Sequence, residues 1–205
     1  MKRLLSTLPA VPRLRQAVTE VRRSARGVKV STIDGDCQIY DKVALACHAD
    51  EALALLHDPS ETEIRLLSAF SYQRNETLLH VDASVMPNQH RCWASWNYRL
   101  DSRGASTHYW MNSLQDVSRK TNYFVTLNGE HLVDKNKVLR RMTYHHPLFD
   151  LKAITAQEKL PELNASTQKE QVYFCGSYFG YGFHEDALTS SLNLAKQLIG
   201  NAVCL

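Results

Sequence analysis

Several familiar signatures are missing from this 205-residue chain. No apolar run approaches the ~18 residues that a membrane-spanning helix needs, so we expect no transmembrane segment. The five cysteines contain no C-x-x-C pair and their number is odd, which argues against a disulfide framework or a zinc site. The net charge of +3 is too mild to favour nucleic-acid binding. We therefore expect a cytoplasmic globular protein with no metal and no nucleic-acid partner.

The common catalytic and nucleotide-binding motifs are also missing. There is no G-x-S-x-G elbow, so a serine hydrolase is poorly supported. No Gly-Lys-Ser/Thr follows a glycine-rich turn, and the dinucleotide motif G-x-G-x-x-G does not occur. The nine histidines include no partners at metal-ligand spacing, so most of them are interpreted as surface or satisfied side chains.

Positive charge is concentrated at the start of the chain. Residues 1–30 contain eight Lys or Arg and a single acid, Glu20. An organellar targeting segment has such a composition. A helix followed by a strand with a solvated basic face is the favoured interpretation, because Val18, Val21, Val28 and Val30 suit strands that belong to a fold.

The first part of the chain has an α/β pattern. Alternating residues from Gly27 and a D-G-D turn at 34–36 predict a hairpin, and the apolar run at 42–47 predicts a strand buried on both faces. Helices are predicted from His48 to Leu56 and after Ser60, which can cap the second one.

The middle of the chain reads as antiparallel sheet. Four strand-like runs rich in Trp and Tyr lie between Glu76 and Gly129, a further strand is stopped by Pro147, and a short helix ends near Pro161. The aromatic residues either line a pocket or form the core of the sheet. Their period of two favours the core.

Near the C-terminus, a short buried strand leads into a turn that contains Gly176, Gly180 and Gly182. A helix is predicted from about His184 to Ile199. Its predicted inward face consists of Leu188, Ser191, Leu192, Ala195, Leu198 and Ile199. Glycines let backbone N–H groups approach a ligand, and a helix N-terminus carries partial positive charge, so the turn suits a phosphate or the N1–C2=O edge of a flavin. A tight strand-to-helix connection explains the same glycines equally well.

Longer segments resemble a known group of enzymes. The segment GVKVSTIDGDCQIYDKVALACHADEALALLHDP is followed in order by WASWNY, YWMNSLQ, FVTLN, YHHPLFD and YFCGSYFGYGFHEDAL. Together they resemble flavin-dependent oxidoreductases of the amine-oxidase-like superfamily, in particular a bacterial branch of predicted NAD/FAD-binding proteins. The resemblance spans nearly the whole chain.

The resemblance implies an α/β fold, with α+β character in this fragment, and FAD as the cofactor. Residues 1–75 and 165–205 would be the C-terminal parts of a Rossmann-like FAD-binding domain. Residues 76–164 would form a substrate-binding domain with a mostly antiparallel sheet.

The resemblance also implies which residues contact FAD. Val18, in the segment AVTEV, matches the strand whose backbone meets the adenine, and Ala46 and His48 match a strand end near the cofactor. The stretch that wraps the ribityl, pyrophosphate and flavin ring matches Gly176, Ser177, Gly180, Tyr181, Gly182, Phe183 and His184. No catalytic residue is assigned.

The chain departs from the family pattern at several positions. Tyr178 stands where many amine oxidases have glutamate, and Ala187 stands where the branch has glycine. The family's first strand, its G-x-G-x-x-G turn and the acid that binds the ribose have no counterpart here. We therefore expect a truncated product or one half of a split protein, with the N-terminal half supplied by another chain.

The function that follows from the resemblance is hydride removal from a C–H bond of a small-molecule substrate by FAD. The few charges in RCWASWNYRL lean towards an apolar substrate. The alternative is a non-catalytic remnant, or a subunit that completes the flavin site of a split enzyme.

Overall fold

The computed structural model of the chain describes residues 5–165 and 171–200, which fall into two compact units. Unit 1 contains the chain up to Ser71 and again from Pro147 onward, and unit 2 is Tyr72–His146. Helices and sheets are mixed along the chain, which confirms the predicted α/β class.

Unit 1 contains an antiparallel three-stranded sheet in the order β1-β2-β3. Its strands are β1 (Val18–Ser24), β2 (Gly27–Thr32) and β3 (Cys37–Tyr40). Gly35 adopts a φ of +83° between β2 and β3, as a tight turn requires. The hairpin predicted from the D-G-D signal is confirmed. Val21 and Val28 point to the core, where their side chains are buried.

A parallel strand pair forms the second sheet of unit 1. Strand β4 (Val43–Leu45) pairs with β10 (Val172–Phe174), with Leu45 opposite Phe174. All three residues of β10 are buried, as predicted for a short buried strand. The prediction that the run at 42–47 is buried on both faces is wrong, because Ala44 of β4 is exposed. Each strand is followed by a helix, α1 (Ala49–Leu55) after β4 and α5 (His184–Ile199) after β10.

The two outer edges of this pair differ. On β10, the Asn164 side-chain amide donates to Phe174 O and accepts from Phe174 N–H, both at 2.8 Å. On β4, the inner bonds use Val43 N–H, which donates to Gln171 O, and Leu45 O, which accepts from Cys175 N–H. Successive residues of a strand direct their backbone groups to opposite edges, so the groups of Ala44 face away from β10. No strand among the described residues pairs with that edge.

Two further helices of unit 1 begin at capping residues. Ser60 precedes α2 (Glu61–Leu67), and Ser60 and Glu63 form a reciprocal capping box, as predicted. Asp150 precedes α4 (Leu151–Gln157), where its carboxylate accepts from Ala153 N–H at 2.8 Å. Both helices therefore start where a side chain satisfies an otherwise unpaired N–H group.

The buried side of α5 differs from the prediction. Its buried residues are Ser190 and Leu194, whereas Leu188 and Ile199 are 48% and 65% exposed. The predicted inward face is wrong at these positions. The reason is that Ser190 Oγ accepts from Gly176 N–H at 2.9 Å, which turns the Ser190 side of the helix towards the end of β10. The apolar stripe of α5 identified the helix but not the side that packs within unit 1.

The sheet of unit 2 has the order β6-β7-β8-β5-β9, and its described pairings are antiparallel. The strands are β5 (Ser71–His80), β6 (Trp96–Asp101), β7 (Gly104–Trp110), β8 (Phe124–Leu127) and β9 (Val138–Leu148). A short helix, α3 (Met111–Gln115), follows β7. Strand β9 passes through Pro147, where it was predicted to stop, because an edge strand tolerates a residue with no N–H donor.

One face of this sheet carries the hydrophobic cluster of unit 2, and the other face is exposed at Trp96 and Tyr98 on β6. On the covered face, Leu78 and Phe124 pack with Val85, Met86 and Val133, and Trp93 and Trp110 lie against that cluster. We call the opposite face the open face. The strand registers align Trp96, Tyr109, Val125 and Leu79 in one row across it, and Tyr98, Thr107, Leu127 and Thr77 in the next.

The open face explains why the aromatic residues were partly misinterpreted. Trp96 and Tyr98 are 55% and 73% exposed, so the prediction that they form sheet core is wrong. They lie on β6, the outermost strand, where no second layer of unit 2 covers them. Period two predicts which residues share a face but not whether that face is covered.

Candidate functional site

The predicted site residues meet where the two parallel strands end. Ala46 and His48 flank Cys47 after β4, and Gly176 and Ser177 follow β10. A Cβ built on Gly176 would lie 3.4 Å from Cys47 O, so the two strand ends are in direct contact. Ligands of open α/β sheets bind beyond the carboxyl ends of strands, which makes this edge the candidate cofactor site.

The segment from Gly176 to Phe183, here called the glycine loop, is held by hydrogen bonds to its backbone. Ser177 O accepts from the N–H groups of Gly180 and Gly182, both at 3.1 Å. From α4, the Gln157 amide donates to Tyr178 O at 3.1 Å and also to Gly180 O. The loop therefore has a fixed path between β10 and α5.

Asp186 ties the loop to the first turn of α5. Its Oδ2 accepts from Tyr181 N–H at 3.0 Å and from Phe183 N–H at 2.9 Å. These two donors are therefore satisfied internally, and the N–H groups of the first helical turn remain for a ligand. Glu185 and Asp186 are both acidic and would repel a phosphate, so the helix mouth suits a ring carbonyl edge better.

Two of the loop glycines are required by close approach. A Cβ on Gly176 would lie 2.7 Å from Cε1 of the buried Tyr178 ring, and a Cβ on Gly180 would collide with the Asp186 carboxylate. Gly182 has a φ of +90°, which other residues rarely adopt. The glycines thus allow Asp186 and Tyr178 to occupy the space beside the loop.

The remaining loop residues face outward. Tyr181 and Phe183 are 69% and 56% exposed, and His184 is exposed at the start of α5. The Tyr181 ring lies 6.2 Å from the Phe149 ring, centroid to centroid. The loop therefore presents two aromatic rings beside the helix mouth.

Val18 lies in another part of unit 1, on β1. It lines a depression of about 170 Å³ on the three-stranded sheet, with Val30 and Tyr40 among its neighbours. An ion pair of 2.8 Å between Arg13 and Asp36 borders this depression. The structure thus brings Ala46 and His48 close to the start of the glycine loop, and it places Val18 at a second surface.

The two thiols near the site are poorly placed to react, Cys47 being half-buried and Cys175 buried. Burial raises the pKa of the Cys47 thiol, with a smaller contribution from the Glu51 carboxylate, and Cys175 is buried beside it in the strand pair. A raised pKa disfavours the nucleophilic thiolate.

Sequence reasoning did not find a polar network in the core of unit 2. His80 and His108 are 0% and 1% exposed, and each places a ring nitrogen 2.8 Å from Thr126 Oγ1. His108 Nε2 lies 3.1 Å from Ser106 Oγ. Because His80 Nδ1 accepts from Asp82 N–H, the neutral ring carries its proton on Nε2 and donates it to Thr126. Burial lowers the pKa of both histidines to about 4.

Comparison with known proteins gives the fold. No protein-family model and no curated protein matches the chain. A conjugated-linoleic-acid-producing fatty acid isomerase from P. acnes matches 97% of the chain with a TM-score of 0.64 and 15% identity. A proposed protoporphyrinogen oxidase from Exiguobacterium sp. matches 96% with a TM-score of 0.56 and 14% identity. The chain covers 51% and 49% of these two proteins, about half their length.

At these identities the likeness shows the fold alone. Within the described part of the chain, no helix is both long and apolar enough to cross a membrane.

Proposed function

We propose that the chain forms the flavin-facing part of an FAD-dependent oxidoreductase of the amine-oxidase-like kind. The observation that carries the proposal is the glycine loop, which joins the carboxyl ends of β4 and β10 to the N-terminus of α5. The sequence resemblance and the fold shared with an oxidase and an isomerase support it. The proposed FAD contacts remain those implied by the resemblance, with the adenine at Val18.

The residues present fit a flavin. The helix mouth offers N–H donors and partial positive charge, and Gly176 and Gly180 let the loop backbone keep the path that leads to it. When bound, FAD supplies the chemistry of hydride acceptance. The chain's part is to orient the carbonyl edge of the ring through the N–H groups of the first turn of α5. Tyr181 and Phe183 exclude water from that edge.

The open face of unit 2 supports an apolar small-molecule substrate. Its two rows contain no charged side chain, and their polar side-chain atoms are the Trp96 indole N–H and the hydroxyls of Tyr98, Tyr109, Thr77 and Thr107. Trp96 and Tyr98 are the exposed members of the two rows, and neighbouring exposed apolar side chains favour an interaction site. In this proposal unit 2 supplies the substrate-binding surface.

The proposal is tested by purifying the full chain, adding FAD, removing unbound cofactor and recording the visible spectrum. Retained flavin absorbance at stoichiometric level is the expected result for a self-sufficient site. Absence of flavin both from the chain alone and from the chain co-expressed with a partner that carries G-x-G-x-x-G would contradict the proposal.

Replacing Asp186 with alanine is expected to weaken FAD binding roughly tenfold, since the Tyr181 and Phe183 N–H groups lose their shared acceptor and the loop loses its shape. Fluorescence titration with FAD measures the change. Glu185→Ala is the matched control, because Glu185 is the neighbouring acid and, within the described part of the chain, does not hydrogen-bond the loop. If Asp186→Ala and Glu185→Ala bind FAD with equal affinity, the loop does not contribute to the flavin site.

A subunit that completes the flavin site of a split enzyme is the second candidate, and the unpaired edge of β4 favours it. Exposed strand edges pair readily with another chain. A neighbouring reading frame that encodes a strand followed by G-x-G-x-x-G would identify the other subunit.

Ala44→Pro tests this second candidate. Ala44 N–H faces away from β10, so the variant is expected to fold with a stability change below about 1 kcal/mol, yet to lose its complex with the other subunit. Co-purification and circular dichroism measure the two effects. Ala44→Val keeps the N–H group and is expected to retain the complex, whereas an intact complex in Ala44→Pro would rule out pairing at this edge.

A further inference from the structure

A groove of about 420 Å³ lies between α2 and α4 in unit 1, and the proposed flavin site does not use it. Its floor is formed by Leu66, Ala69 and Ala156, which are 1%, 4% and 8% exposed. At its lip, the Leu151 side chain is 84% exposed. The groove therefore combines a closed apolar floor with an apolar side chain that has no cover.

The rim of the groove is positively charged. The lining contains Arg65, Lys152 and Lys159 and no acid. The Arg65 guanidinium forms an ion pair of 3.1 Å with Glu162, which lies outside the groove. Lys152 Nζ donates to Ser68 O at 3.2 Å. For the Lys159 ammonium, no hydrogen bond or ion pair is found within residues 5–165 and 171–200. Lys159 is therefore the cation with the most unused bonding capacity on this rim.

We propose that the groove binds a free amphiphile with one unbranched apolar chain and one anionic head, either carboxylate or phosphate. The chain lies along the floor and covers Leu151, and the head meets Lys159. The volume falls within the ~300–1,000 Å³ range of small-molecule sites. The anionic head complements the three cations, and burial of the chain supplies the apolar contribution.

The alternatives fit less well. A neutral apolar molecule would gain nothing from the three cations of the rim, and a cationic one would be repelled by them. A flat bilayer surface cannot reach a floor set between two helices. Its negative charge distinguishes the proposed amphiphile from neutral and cationic ligands, and its monomeric state distinguishes it from a bilayer surface.

The groove lies on a different side of α4 from the glycine loop. Thr155, Ala156 and Lys159 line the groove, while Gln157 reaches the loop carbonyls. Binding in the groove can therefore be measured whether or not flavin is retained, and its result is independent of the proposed function.

Isothermal titration of the full chain with decanoate, decyl phosphate and decyltrimethylammonium, each below its micelle concentration, tests the proposal. Both anions are expected to bind and the cation is not. Lys159→Glu is expected to weaken decanoate binding roughly tenfold. Lys159→Arg is expected to retain it. Lys135→Glu, an exposed lysine of unit 2, is the matched control and is expected to bind as the wild type does.

Three results would overturn the proposal. Equal affinity for the two anions and for decyltrimethylammonium would show that the positive rim does not select the ligand. Equal decanoate affinity in Lys159→Glu and Lys135→Glu would show that decanoate binds outside the groove. Binding to phosphatidylglycerol vesicles without binding to monomeric decanoate would make the groove a membrane contact. Because Lys159 is exposed, circular dichroism of Lys159→Glu is expected to match the wild type, so lost binding reports on the site.

Discussion

Gly176→Val is expected to lower the free energy of unfolding by about 2–4 kcal/mol and to abolish flavin retention. A side chain at this position meets the Tyr178 ring, which is 1% exposed and cannot move into solvent. The Cβ itself would lie in ordinary contact with Cys47 O at 3.4 Å, so the Tyr178 ring is the group that must shift. Urea unfolding followed by circular dichroism measures the first effect, and visible absorbance measures the second.

Gly35→Ala is the control for backbone strain. Gly35 also has a positive φ, of +83°, but a Cβ there meets nothing within 4 Å, so only about 1 kcal/mol of strain is expected. The additional loss expected in Gly176→Val reflects the collision with Tyr178 together with the larger valine side chain. If Gly176→Val is no less stable than Gly35→Ala, the close approach described at the strand ends is wrong.

Unit 2 is expected to lose stability as the pH falls from about 6.5 to about 4. The folded-state pKa of His80 and of His108 is lowered to about 4, against an ordinary value of 6.5. Between these values the unfolded chain binds more protons than the folded one, so acid favours unfolding, by a few kcal/mol in total. Well above pH 6.5 both rings are neutral in the folded and in the unfolded state, so the stability of unit 2 no longer depends on their titration. Urea unfolding at pH 7, 5.5 and 4.5 measures the slope.

Tryptophan fluorescence reports on the relevant unit, because all three tryptophans lie in Tyr72–His146. In the His108→Gln variant one titrating ring is removed, so the pH slope is expected to fall by about half while the hydrogen bond to Thr126 is kept. Asp82 beside His80 does not titrate in this window. Although burial opposes it, hydrogen bonds from Asp134 and Ser84 N–H hold its pKa below the usual range. An unchanged slope in His108→Gln would contradict the network.

Elements with local signals were predictable from the sequence. The predicted bounds of α5 are those observed, and α2 follows its capping serine, because both depend on residues a few positions apart. The buried side of α5 was not predictable, since Gly176 and the end of β10 decide it from elsewhere in the chain. The His80–Thr126–His108 network was missed for a similar reason, because only the sheet register brings three separate strands together.

The candidate site follows the same division. The glycine loop is contiguous in sequence, so the resemblance could name its residues in advance, and the same resemblance placed Ala46 and His48 at a strand end near the cofactor. Gln157 was not recognised, because a side-chain amide that binds two distant carbonyls has no motif. The acids of the first α5 turn were visible, but the reach of Asp186 back to Tyr181 was not, because it depends on Gly180 having no side chain.

The two hydrogen bonds between the Asn164 side chain and Phe174 limit where further strands can pair with this sheet. A strand pair with two open edges can add chains at both sides and so propagate without end, as fibrils do. Here the amide of Asn164 occupies the donor and the acceptor of Phe174, so extension is possible on one side only. Strands can therefore be added to this pair at the β4 edge only, and β10 remains the last strand of the sheet on its side.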